Sequence, residues 1–169
     1  MRLRLLVCDL SVVLLLAISL FTFQADPAVA KDLPSDICSL LGAQQLQKTL
    51  GQPFGAPSKS SALPAYSGQA AGTNCGYSSE KGVPTDVTLI VYVDRSPTEA
   101  KQTFDKLSAF YPATSKPVGI GDSAYIDHNH AIHVLKGKVR YFISVSSNAA
   151  DAVKEKQAQD LAALVAEQI

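Results

Sequence analysis

Neither sign of charge prevails in this chain: 15 lysines and arginines stand against 15 aspartates and glutamates. A neutral balance removes the long-range attraction that draws proteins to nucleic acid or an acidic membrane, so neither is expected as a partner. Aromatic residues make up only 7% of the chain. They are scattered as core residues would be, which leaves no platform for stacking bases. No serine sits in a G-x-S-x-G elbow. "VGIGDSA", Val118 to Ala124, lacks the third glycine of a dinucleotide fingerprint and the Gly-Lys-Ser/Thr of a phosphate loop. It leads into a strand rather than a helix N-terminus, and Asp122 would repel phosphate. Its glycines predict a turn that aims the next strand. Asp122 and Asp127, in separate turns, make no convincing carboxylate pair. These absences predict a protein that is not an enzyme, with no catalytic residues and no cofactor.

A long apolar run is also missing. The longest, Leu10 to Phe23, falls short of the ~20 residues a spanning helix needs. Arg2 and Arg4 precede it, and Ala28-Val29-Ala30 follows. A basic end, an apolar middle and a small-x-small site describe a secretory signal peptide over residues 1–30. Cleavage leaves residues 31–169, ample for one core. Cys8 precedes the apolar run, the wrong place for lipidation, so no membrane anchor is expected after cleavage.

Three cysteines occur in all, and losing Cys8 leaves Cys38 and Cys75. An even pair in an exported chain predicts a disulfide. Closing a loop of about 37 positions would stabilise the fold by roughly 4 kcal/mol in the chain-entropy description.

Leu40, Leu41, Leu46 and Leu50 fall at helical spacing, with Gly42 dividing a short turn from a helix and Gly51-x-Pro53 stopping it. Gly51 to Gly72 is rich in Gly, Pro, Ser and Ala and reads as a long loop, anchored by Phe54 and Tyr66. "TNCGYSS" and "DVTLIVYVD" are strands, the second apolar on both faces and therefore interior. Ser96, Pro97 and Glu99 open a helix with a capping box, and Ala100, Phe104, Leu107 and Tyr111 form its core stripe. Three more strands follow, "PVGIGDSAYID", "AIHVLKG" and "KVRYFISVSS", with a tight hairpin at Gly137. A last helix carries an apolar stripe of Ala158, Leu161, Ala162, Val165 and Ile169. The reading is a single α+β domain: one antiparallel sheet of about five strands with three helices, in the order α-β-β-α-β-β-β-α.

All three histidines lie in "DHNHAIH", Asp127 to His133. With His128-Asn129 as the turn, alternation puts Asp127 opposite His130 on one face and His133 on the other. Asp127 and His130, with His128 leaning in, would then offer a weak site for zinc, copper or nickel, short of a closed four-ligand shell. A polar hairpin tip is the plainer expectation.

"CSLL" with the following "LG", then "CGYSS", "VTLIVYV", "GIGDSAY" and "HVLKGKVRYFISV" together resemble the bacterial extracytoplasmic domain-of-unknown-function family 3558, common among actinobacterial lipoproteins. The resemblance runs from about Leu33 to Ile169. It implies an extracytoplasmic domain and carries over no activity and no site residues. The chain departs from the family in having no lipobox. It also has Gly42 where the family often has Ser or Thr. The expected function is a secreted, periplasmic or extracellular binding or interaction domain with an unknown envelope partner. Weak metal binding through Asp127, His128 and His130 is the alternative.

Overall fold

The computed structural model describes residues 33–62, 71–117 and 119–169. The expected signal peptide, its cleavage point and Tyr66 lie outside the described residues. A 3-10 turn (Ile37–Leu40) and helix α1 (Ala43–Leu50) lead into β1 (Ser58–Ala62), β2 (Gly72–Ser78) and β3 (Asp86–Val93). Helix α2 (Pro97–Phe110) carries the chain to β4 (Ala113–Ser115), followed by β5 (Ser123–Asp127), β6 (Ile132–Lys136), β7 (Val139–Ser146) and helix α3 (Asp151–Ala166). The domain is α+β, with all strands in one antiparallel sheet in the order β1-β2-β3-β7-β6-β5-β4. Two local meanders, β1 to β3 and β4 to β7, are thus sewn together along β3 and β7.

Among the described residues the sheet has seven strands, not about five, and the order is α-β-β-β-α-β-β-β-β-α. Both additions are sheet edges. β1 lies inside the stretch read as a loop. Its Ser58, Lys59, Ser60 and Ser61 are all exposed, and β4 is exposed throughout. Such strands are held by backbone pairing and carry polar side chains that discourage further pairing, so they show no apolar alternation. Phe54 does anchor the segment before β1: it is buried and bridges to Ser79.

Gly42 divides turn from helix as expected, its N–H donating to the Gln45 side chain at 2.7 Å. Gly51 ends α1 in the left-handed conformation, φ 75°, with its N–H on the Gln47 carbonyl. Ser96 caps α2 by accepting the Glu99 N–H at 3.2 Å. The Glu99 carboxylate turns outward to Arg95, at 2.9 and 3.0 Å, so only half of the expected capping box forms. Gly121, φ 60°, packs so closely on β6 that a Cβ would meet the Leu135 carbonyl oxygen at 2.5 Å. The turn it permits brings the Asp122 carboxylate to the Gly137 N–H, 2.7 Å away, and so braces the β6–β7 hairpin.

Alternation sorts each strand's side chains onto two faces. On one, Cys75, Tyr77, Val87, Leu89, Val91, Ile126, Ile132, Val134, Tyr141 and Ile143 meet Leu40, Leu41, Leu46 and the predicted stripe of α3. The buried hydroxyls reach backbone carbonyls: Tyr77 donates to Cys38 and Tyr141 to Ala162, each at 2.7 Å. Burial raises the pKa of both phenols. The Cys38–Cys75 disulfide closes this side, with Cα atoms 5.5 Å apart. It joins the 3-10 turn, rather than the first helix proper, to β2.

Candidate functional site

The opposite face of the sheet is only partly roofed. Helix α2 leaves the end of β3 and crosses to the far edge, seating Ala100 and Phe104 on Tyr125 and Leu135 of β5 and β6. Over β3 and β7 it leaves an open groove of about 790 Å³. Ile90, Tyr92, Phe142 and Ser144 are floor residues, and Leu107, Phe110 and Tyr111 line the α2 side. Phe110 is 71% exposed, a large apolar ring left in water. The predicted core stripe of α2 therefore splits: Ala100 and Phe104 are buried, whereas Leu107 and Tyr111 are half-buried at the groove wall.

Two largely buried polar pairs border the groove. At one end Arg140 of β7 reaches back to Asp94, just past β3, with Nε to Oδ2 at 2.6 Å and Nη2 to Oδ1 at 3.1 Å. Both side chains are less than 5% exposed. The guanidinium also lies 5.0 Å over the Tyr92 ring, a cation–π arrangement. Sequence reasoning missed this pair because its members lie 46 residues apart. The available signal was an arginine at a position alternating with Phe142 on an interior strand.

The second system is Asp127 with His133. Asp127 Oδ2 lies 3.0 Å from His133 Nε2, and Oδ1 accepts the N–H groups of Asn129 at 2.8 Å and Ala131 at 3.1 Å. The imidazole stacks on Tyr125, centroids 4.5 Å apart and planes 4° from parallel, and meets Phe142 at 5.3 Å. Burial pushes His133 below the ordinary imidazole pKa, while the Asp127 carboxylate draws it partly back.

This arrangement corrects the expected hairpin. Tyr125 pairs with His133 and Ile126 with Ile132, one residue out of the expected register. His128, Asn129 and His130 form a three-residue connection, with His130 in the left-handed region at φ 63°. The two N–H bonds to Asp127 Oδ1 hold this longer turn. Because strands alternate with period two, the one-residue change sends every β6 side chain to the other face. Asp127 meets His133, not His130.

The structure does not bring Asp127, His128 and His130 together. His130 turns to α3, its Nδ1 at 2.7 Å from Glu155 and its Nε2 at 3.2 Å from Asp151. His128 stands exposed at the tip, its ring 6.4 Å from that of Tyr111. Among the described residues no group of three or more histidines, cysteines and carboxylates is placed to hold a metal ion. Comparison with protein-family models, curated proteins and solved structures finds no match.

Proposed function

We propose that this is an exported, non-catalytic binding domain whose ligand is a small, largely apolar molecule held in the groove between α2 and the half-open sheet. The groove's size carries the reading. Ligand sites typically span about 300–1,000 Å³, with apolar and aromatic walls and a few polar groups to fix orientation. Here Ile90, Phe142, Leu107 and Phe110 supply the walls, and His133 and Ser144 the polar points. Export is supported by the disulfide, and no helix among the described residues is long and apolar enough to cross a membrane. The resemblance to family 3558 fits the same compartment.

Fluorescence titration with the neutral dye phenylnaphthylamine tests the site. Saturable binding is expected, and Ile90→Glu, which sets a carboxylate on the floor, is expected to abolish it while leaving the circular dichroism unchanged. Equal binding by the variant would place the ligand elsewhere.

A further inference from the structure

We propose that the groove selects a neutral ring compound carrying a hydroxyl or N–H group, and that Nδ1 of His133 accepts the hydrogen bond from that group; this specifies, and rests on, the groove as the ligand site. Asp127 fixes the histidine's role. Its carboxylate already accepts two backbone N–H bonds through Oδ1, and its Oδ2 faces His133 Nε2. A carboxylate only accepts, so the imidazole proton sits on Nε2. That leaves Nδ1 with an in-plane lone pair. No hydrogen bond to Nδ1 occurs among the described residues, and it is not among the buried polar atoms that lack a partner. The side chain is 14% exposed and lines the groove, so this acceptor meets the open volume.

The surroundings set the rest of the ligand's chemistry. Each charged group bordering the groove already has a counter-charge or a full set of bonds. Arg140 is held by Asp94, Lys154 by Asp151 at 2.8 Å, and Asp127 as described. An ionic ligand would find no free counter-ion and would lose its hydration. The titratable groups around His133 are Tyr125 and Asp127 from β5, Tyr111 from the end of α2 and His128 from the hairpin tip, within stacking distance of Tyr111. From β7 the uncharged Phe142 ring lies against it. Aromatic walls favour a ring by offset or edge contact. Neutral imidazole favours a donor, because a ligand without one leaves a desolvated acceptor unpaired.

Beta-naphthol and its methyl ether, which share a ring system but differ in the donor, are the probes. In a residue-resolved NMR titration of the disulfide-bonded protein, both are expected to shift Ile90 and Phe142, with naphthol at least tenfold tighter. Nitrogen-15 shifts of His133 are expected to report a proton on Nε2. His133→Phe keeps a ring on the floor and is expected to bring the two affinities within twofold. Acidification that protonates His133 is expected to do the same in the unsubstituted protein, so the outcome does not depend on the variant folding. Equal affinities at neutral pH, or a proton on Nδ1, would overturn the acceptor role and leave the groove standing. If neither probe perturbs Ile90 or Phe142, the groove itself falls and the acceptor role falls with it.

Discussion

Ile143 and Phe142 are neighbours on β7 and meet different worlds. Ile143 is fully buried beneath α3, whereas Phe142 is half-buried on the floor of the groove. The same contrast runs through the sheet. The side facing the 3-10 turn, α1 and α3 is aliphatic, tyrosine-filled and cross-linked. The side facing α2 is half roofed and carries an arginine, an aspartate–histidine pair and aromatic rings. One set of strands thus supplies a closed core from its first face and an open groove from its second. Alternation allows the two to be set independently, since each residue belongs to one side only.

The largest effect that would break this division comes from the open side. Arg140→Met strands Asp94 as an unpaired buried charge, and a loss of about 3–5 kcal/mol is expected in urea unfolding. The double variant Asp94→Leu/Arg140→Met should recover much of it, since a buried pair replaced whole by apolar groups is often near neutral. If the single variant is harmless, the open face contributes no more than a surface would.

The sharpest comparison is between the two neighbours. Ile143→Ala is expected to cost ~2–5 kcal/mol through the cavity it leaves. Phe142→Ala, already partly in water, should cost only about 1 kcal/mol yet remove dye binding. Reversed magnitudes would mean that the groove side is the true core. Tyr141→Phe comes next, at about 1 kcal/mol for the hydrogen bond to Ala162, with no effect on dye binding.

The smallest effect is the pH dependence contributed by His133. Its pKa is lower in the folded chain than in the unfolded one. Between those two values the unfolded state holds more protons, so acid favours unfolding. Stability is therefore expected to be complete above about pH 6.5 and to decline as the pH falls through the folded-state value. His133→Phe is expected to remove this part of the slope in urea midpoints measured across the range.

Much of the closed face was legible in the sequence. Leu40, Leu41 and Leu46 before Gly51, Val87, Leu89 and Val91 of β3, the alternating residues of β7 and the stripe of α3 are buried as their periods predict, whereas Leu50 is half-buried and Val93 is exposed at its strand's end. Cys38 and Cys75 pair as expected. The polar edges were not legible, because β1 and β4 are held by backbone bonds that no side-chain pattern records. The site was half legible. Asp127 and the histidines stood out by composition, but their partners depended on whether the turn holds two residues or three. That choice rests on Asp127 Oδ1 reaching two N–H groups, a geometric fact without a periodic signature. Asp94 with Arg140 was hidden by distance along the chain.

The seam between β3 and β7 carries a kinetic consequence. Within each meander the paired strands follow one another in the chain, and pairing between such sequence neighbours forms fast, in roughly microseconds for a hairpin. The seam instead joins Val93 to Val139 and Asp86 to Ser146, pairings that wait on a much longer chain closure. The groove floor straddles it, with Ile90 and Tyr92 contributed from one side and Phe142 and Ser144 from the other. Neither meander alone forms the groove, so a chain caught before the halves meet would display apolar strand edges and no groove at all.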